Sequence, residues 1–173
     1  MEEKNQNMED FTAALAVTDA VPVLLFGLSG KMAAKAFPNR LFRAGIVVCT
    51  AAGTSKVIWK FLLAVTHRDR KPLNQLFHIG MPCGFAVILT SLLMHRKEAR
   101  SLFKAAFSRS HRIFFLLSAS GVAAMAVMKS CFDSRSARAN WAEQSVNIFA
   151  QSMLLTGVYH VWSDKTSGIK IPG

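Results

Sequence analysis

Acidic side chains are scarce in this chain: 10 Asp and Glu stand against 21 Lys and Arg, a formal net charge of +11. An excess of this kind can mark a nucleic-acid binder. Here the cations are gathered into short stretches between long apolar runs, a pattern that membrane topology explains better, and no nucleic-acid partner is expected. Cysteine is sparse as well. Cys49, Cys83 and Cys131 are odd in number, fall in or beside three different apolar runs and form no CxxC pair, so neither a disulfide framework nor a zinc site is indicated and buried thiols are expected.

Catalytic motifs are missing too. The run Gly27 to Lys31 reads GLSGK and lacks the length and the following hydroxyl of a phosphate-cradling loop. Nor is there HExxH, GxSxG, a close pair of carboxylates or a Cys and His ligand set. No catalytic residue, cofactor or metal is therefore assigned, and an enzyme is the less favoured class.

Charge itself is absent over long distances. Pro72 to Met94 holds 23 residues without Lys, Arg, Asp or Glu, and Gln144 to Ser163 holds 20 more. A water-soluble helix needs a charged face. Ile113 to Met128 is uncharged, and Phe11 to Gly30 is interrupted only by Asp19. Each run is about long enough to cross roughly 30 Å of hydrocarbon at about 1.5 Å per residue.

The fold expected is all-α, a polytopic transmembrane helical bundle with five spans at about 11–31, 43–66, 72–94, 112–130 and 139–162. A single membrane domain then occupies 11–162, between a polar amino-terminal tail, 1–10, and a polar carboxy-terminal tail, 163–173. Because Met1 to Asp10 is acidic, the first span is expected to be retained and not cleaved as a signal peptide.

Twelve Lys and Arg fall in the stretches after spans one and three and in the last tail, against seven on the opposite side. The positive-inside rule then puts the amino terminus outside and the carboxy terminus in the cytoplasm, in a cell (plasma) membrane. The stretch from His95 to Arg112 places Leu102, Phe103, Ala106 and Phe107 on one helical face, with cations on the rest. This is the pattern of an interfacial helix on anionic lipid, although a solvated basic connector has the same composition. Trp141 and Trp162 mark the two ends of the last span.

Polar residues inside the spans are the candidate site. Lys56 and Lys60 lie one turn apart in the second span, each costing roughly 3 kcal/mol at a helix centre. Asp19 and Glu143 supply matching negative charge. Counted from the outer end of each span, Asp19 is about 12 Å deep, Lys56 about 15 Å and Lys60 about 9 Å, with His78 and Glu143 nearer the surface. Depth pairs Asp19 with Lys56 and Glu143 with Lys60. Asn140, Gln144, Asn147 and Gln151 recur at spacings of four, three and four, one stripe that should face protein or water. Pro22 and Pro82 free backbone carbonyls in mid-span, and Gly80 and Gly84 give the spacing that lets a second helix approach closely.

The ligand-binding set is thus Lys56, Lys60, Asp19, His78, Glu143, Gln144, Asn147 and Gln151. The function expected is binding or transport of a small polar or anionic molecule from the outer leaflet, in a homodimer or with a partner membrane subunit if transport occurs. The alternative is a non-catalytic assembly subunit whose buried ion pairs choose helix partners. A lesser one is an intramembrane enzyme on lipid headgroups, with His78 or Glu143 carrying protons.

Overall fold

The computed structural model describes residues 13–66, 70–108, 111–131 and 137–167. Six helices are found there: α1 (Ala13–Ala36), α2 (Arg40–Thr66), α3 (Lys71–Met94), α4 (Arg96–Ala106), α5 (Arg112–Cys131) and α6 (Ala137–Thr166). The protein is all-α, a helical bundle. The first three helices are each long and apolar enough to cross a membrane, and α5 is a shorter apolar helix. The expected tail 1–10 and the end of the tail 163–173 lie outside the described residues, as do Arg68 and Arg135 of the loops expected on the outer side.

Helix ends differ from the expected spans on the basic side. α1 continues through Lys31 and Lys35, and α2 already begins at Arg40, so the cations assigned to a loop sit mostly on helix ends. Between them the connection is only Phe37, Pro38 and Asn39. Hydrophobic counting stops at the first charge, whereas a helix stops where its backbone loses partners, here at Pro38. α6 likewise runs to Thr166, through residues 163–166, which were expected to be tail.

The five long helices form a row in the order α3, α2, α1, α6, α5. The α2–α3 contact is the closest because both surfaces are small. A Cβ placed on Gly84 would stand 2.9 Å from the Cys49 backbone nitrogen, and one on Gly45 would stand 2.9 Å from the Gly84 carbonyl oxygen. Gly80 faces Ala52 in the same way, so the small-residue spacing seen in the sequence is used for helix approach. At the α5–α6 contact, Gly121 takes the equivalent position against Ala150.

The apolar core lies at the basic end of the bundle, where Phe37 and Phe42 meet edge to face at 5.3 Å between ring centroids and pack with Ala34, Ile88 and Leu102. Elsewhere the surface is greasy. On α3 only Gly84 and Ser91 are buried, while Leu76, Ile79, Phe85, Leu89 and Leu93 are exposed. An apolar surface this extensive suits lipid and not water. The cysteines divide differently from expectation: Cys49 is buried, but Cys83 and Cys131 are exposed, because both lie on outward faces of the edge helices.

Candidate functional site

α2 carries two adjacent stripes that explain the polar contacts. Ile46, Thr50 and Gly53 face α1, against Gly30, Gly27 and Val23 respectively. Lys60 is two turns beyond Gly53 and continues that stripe to Asp19, with which it forms a buried ion pair. Gly45, Cys49 and Ala52 face α3, and Lys56 continues that second stripe. Its ammonium lies over the Phe77 ring, 4.6 Å from the centroid. A cation over an aromatic face gains about 0.5–2 kcal/mol, more as water is excluded.

The expected pairing of Asp19 with Lys56 is therefore corrected: Asp19 takes Lys60. The two lysines differ in depth by less than the length of a lysine side chain, so depth could not choose between them. Their 40° difference in direction around the helix does choose, since four residues at about 3.6 per turn overshoot a full turn by that amount.

The pair is deeply enclosed, with side chains 6% and 5% exposed for Lys60 and Asp19. The ammonium is paired through Oδ2 as a close ion contact without a well-directed hydrogen bond, and Oδ1 has no donor among the described residues. Pro22, inside α1, has no N–H to give the Thr18 carbonyl, so a further acceptor is withheld from the helix ladder beside Asp19.

α1 and α6 run in the same direction, since Lys35 near the end of one lies over the Trp162 ring near the end of the other, 5.2 Å from its centroid. Counting back from Lys35 to Asp19, and by the same number of residues from Trp162, arrives at Val146. Glu143, Gln144 and Asn147 are within one turn of that level. The amide stripe turns inward as expected: Asn140 and Gln144 are buried, Asn147 and Gln151 half-buried, and Glu143 is half-buried beside them. Gln144 Oε1 and Gln151 Oε1 are fully enclosed without a donor among the described residues. His78 stands apart. It is exposed on α3, with its ring edge-on to Phe77 at 5.5 Å.

At the opposite, basic end is a polar network that the sequence reading missed. Asn39 precedes α2 and accepts the Phe42 N–H at 3.0 Å through Oδ1, capping the helix at its third residue. The same oxygen accepts the hydroxyl of the wholly buried Ser91 at 2.9 Å. Asn39 Nδ2 lies 3.3 Å from the His95 ring, and His95 Nδ1 is 3.2 Å from the Ser91 carbonyl. If Nδ1–H donates to that carbonyl, Nε2 is the acceptor for Asn39. Pro38-Asn39 ahead of a periodic apolar run was the available signal.

His111 Nε2 meets Asp164 Oδ2 at 2.8 Å, tying the start of α5 to the end of α6. The His111 ring also stacks on His160 at 5.8 Å. A contact across 53 positions leaves no local trace in the sequence.

Among the described residues no group of three His, Cys, Asp or Glu side chains is placed to hold a metal ion. Cavities of about 670 Å³ and 470 Å³ lie beside Leu62 and Arg70 and beside Asn39 and His95, respectively. Comparison with protein-family models, curated proteins and solved structures finds no match to this chain.

Proposed function

We propose that the chain spans the membrane five times and binds a small polar molecule at the level of Asp19, between α1, α2 and α6, with entry from the end where α1 begins. α5 and α6 complete the spans, α4 lies in the interface on anionic lipid, and the positive-inside rule puts the amino terminus outside, in the plasma membrane. α6 contains more polar residues than a lone span because its amide stripe is buried or half-buried in the bundle, where α6 packs on α1 and α5.

One observation carries the binding reading: of the enclosed oxygens that have no donor among the described residues, Asp19 Oδ1, Gln144 Oε1 and Gln151 Oε1 lie on α1 and α6, apart from the Ser108 hydroxyl at the basic end. A buried acceptor without a partner costs about 1–3 kcal/mol, which bound water or a ligand offsets. The Asp19 carboxylate can only accept, and in the amide orientation of the structure Gln144 and Gln151 present acceptors as well, so the ligand brings donors. An anion, which two unmatched lysines would have favoured, instead meets a Lys60 already neutralised by Asp19. Transport follows if the layer opens to both sides, in a homodimer or with a partner subunit.

The test is thermal stabilisation of the detergent-purified protein by ammonium, guanidinium or urea as donors, compared with nitrate or formate. Stabilisation by a donor, lost in Gln144→Leu with Gln151→Leu, is the expected result. Stabilisation by the anions alone, or by none of the probes, overturns the donor site.

The assembly reading is favoured by one specific feature, the near-complete enclosure of the Asp19–Lys60 pair. Under it, Asp19→Asn with Lys60→Met folds as well as the parent and no probe stabilises either protein.

A further inference from the structure

We infer that the outward groove between α1 and α2 holds an acyl chain of one anionic phospholipid, with its phosphate against Lys31, Lys35 and Arg43. The inference rests on the membrane reading above, but not on the polar layer at Asp19.

The groove encloses about 840 Å³. Gly27 and Gly30 lower its α1 wall, and its α2 wall runs from Arg43 to Ile58, about 22 Å at helical rise. One leaflet of hydrocarbon is about half of roughly 30 Å, so an acyl chain has room to lie along it. The wall is less polar than its sequence suggests. Thr50 and Thr54 return their hydroxyls to the carbonyls of Ile46 and Thr50, at 2.8 Å and 2.9 Å, and Ser55 gives its own to Ala52 and Leu73. The Thr50 methyl is turned toward Gly27 of α1.

Charge complementarity fixes the occupant. Lys31, Lys35 and Arg43 all line the same end of the groove and are all exposed, and no Asp or Glu is among the described residues that line it. Three cations at the mouth of an apolar slot match a phosphate ester on an acyl chain; a second copy of the chain would have to bring acidic residues to the same place. Lys35 shares its position with the Trp162 ring, an interfacial anchor at headgroup level.

The experiment is native mass spectrometry of the full chain in neutral detergent, titrated with phosphatidylglycerol or with phosphatidylcholine of identical acyl chains. One phosphatidylglycerol is expected to be retained in preference to phosphatidylcholine. Lys31→Gln with Arg43→Gln should weaken its retention roughly 30-fold, while Arg70→Gln with Lys71→Gln, exposed at the opposite end of the bundle, should leave it unchanged. Ala51→Phe, which fills the groove from its exposed side, should lower retention of both lipids. Equal retention of the two lipids, no response to Lys31→Gln with Arg43→Gln, equally effective competition by free glycerol phosphate, or a dimer that Ala51→Phe dissolves would each overturn the lipid site. Failure of the membrane reading is separately visible as a chain that stays monodisperse without detergent.

Discussion

Two sets of buried polar side chains, the Asn39 network and the Asp19, Gln144 and Gln151 set, treat their hydrogen-bonding groups in opposite ways. At the basic end, one Asn39 oxygen takes both the Phe42 N–H and the Ser91 hydroxyl, and the His95 ring closes the remaining gap between α1–α2 and α3–α4. By contrast, Asp19 near the start of α1, Gln144 near the start of α6 and Gln151 at its middle each keep an enclosed oxygen without a donor among the described residues, as does the Ser108 hydroxyl outside the Asn39 network. A satisfied network fixes the position of helices and asks for nothing more. Oxygens left over in a protein interior are where an occupant is to be sought.

The largest effect should come from stranding a charge. Lys60→Met leaves Asp19 enclosed without its cation and is expected to cost about 3–5 kcal/mol in denaturant unfolding in detergent, most of it recovered by adding Asp19→Asn. Next is Gly84→Val, which forces Cys49 and Gly45 away; a loss of about 1–3 kcal/mol is expected, with the donor response intact. Asn39→Ala removes the α2 cap and strands the Ser91 hydroxyl, at about 0.5–2 kcal/mol by the same measurement and again with binding unchanged. Smallest in stability is Gln151→Leu, expected within about 1 kcal/mol of the parent or above it, because an acceptor without a partner is removed. That variant should nevertheless weaken stabilisation by ammonium or guanidinium. If Asn39→Ala abolished the donor response while Gln151→Leu spared it, the contrast between the two sets of residues would be reversed.

Much of this was legible in the sequence. Long apolar runs located all five long helices, the first despite Asp19 and the second despite Lys56 and Lys60, and the spacing of Leu102, Phe103, Ala106 and Phe107 marked α4, although Phe103 and Phe107 are exposed in the bundle and Phe107 stacks on Phe115 at 6.2 Å. Period also turned the α6 amides inward correctly. What failed were statements that need direction around a helix or a partner far along the chain. Lys56 and Lys60 are separated by face and not by depth, and His111 finds Asp164 only once α5 and α6 are packed. His78 was grouped with the buried residues by its depth, but α3 is an edge helix with one narrow face inward, and His78 lies off that face.

The most direct measurement places a thiol in the layer itself. With Cys83 and Cys131 replaced by serine, Asn147→Cys is reacted with a charged, membrane-impermeant thiol reagent added to sealed vesicles from the side where α1 begins. Labelling that guanidinium slows, with Ala150→Cys inert because that position is closed against Gly121, is the result expected of a hydrated donor site. An Asn147→Cys thiol as unreactive as the Ala150→Cys thiol, with or without guanidinium, would contradict it.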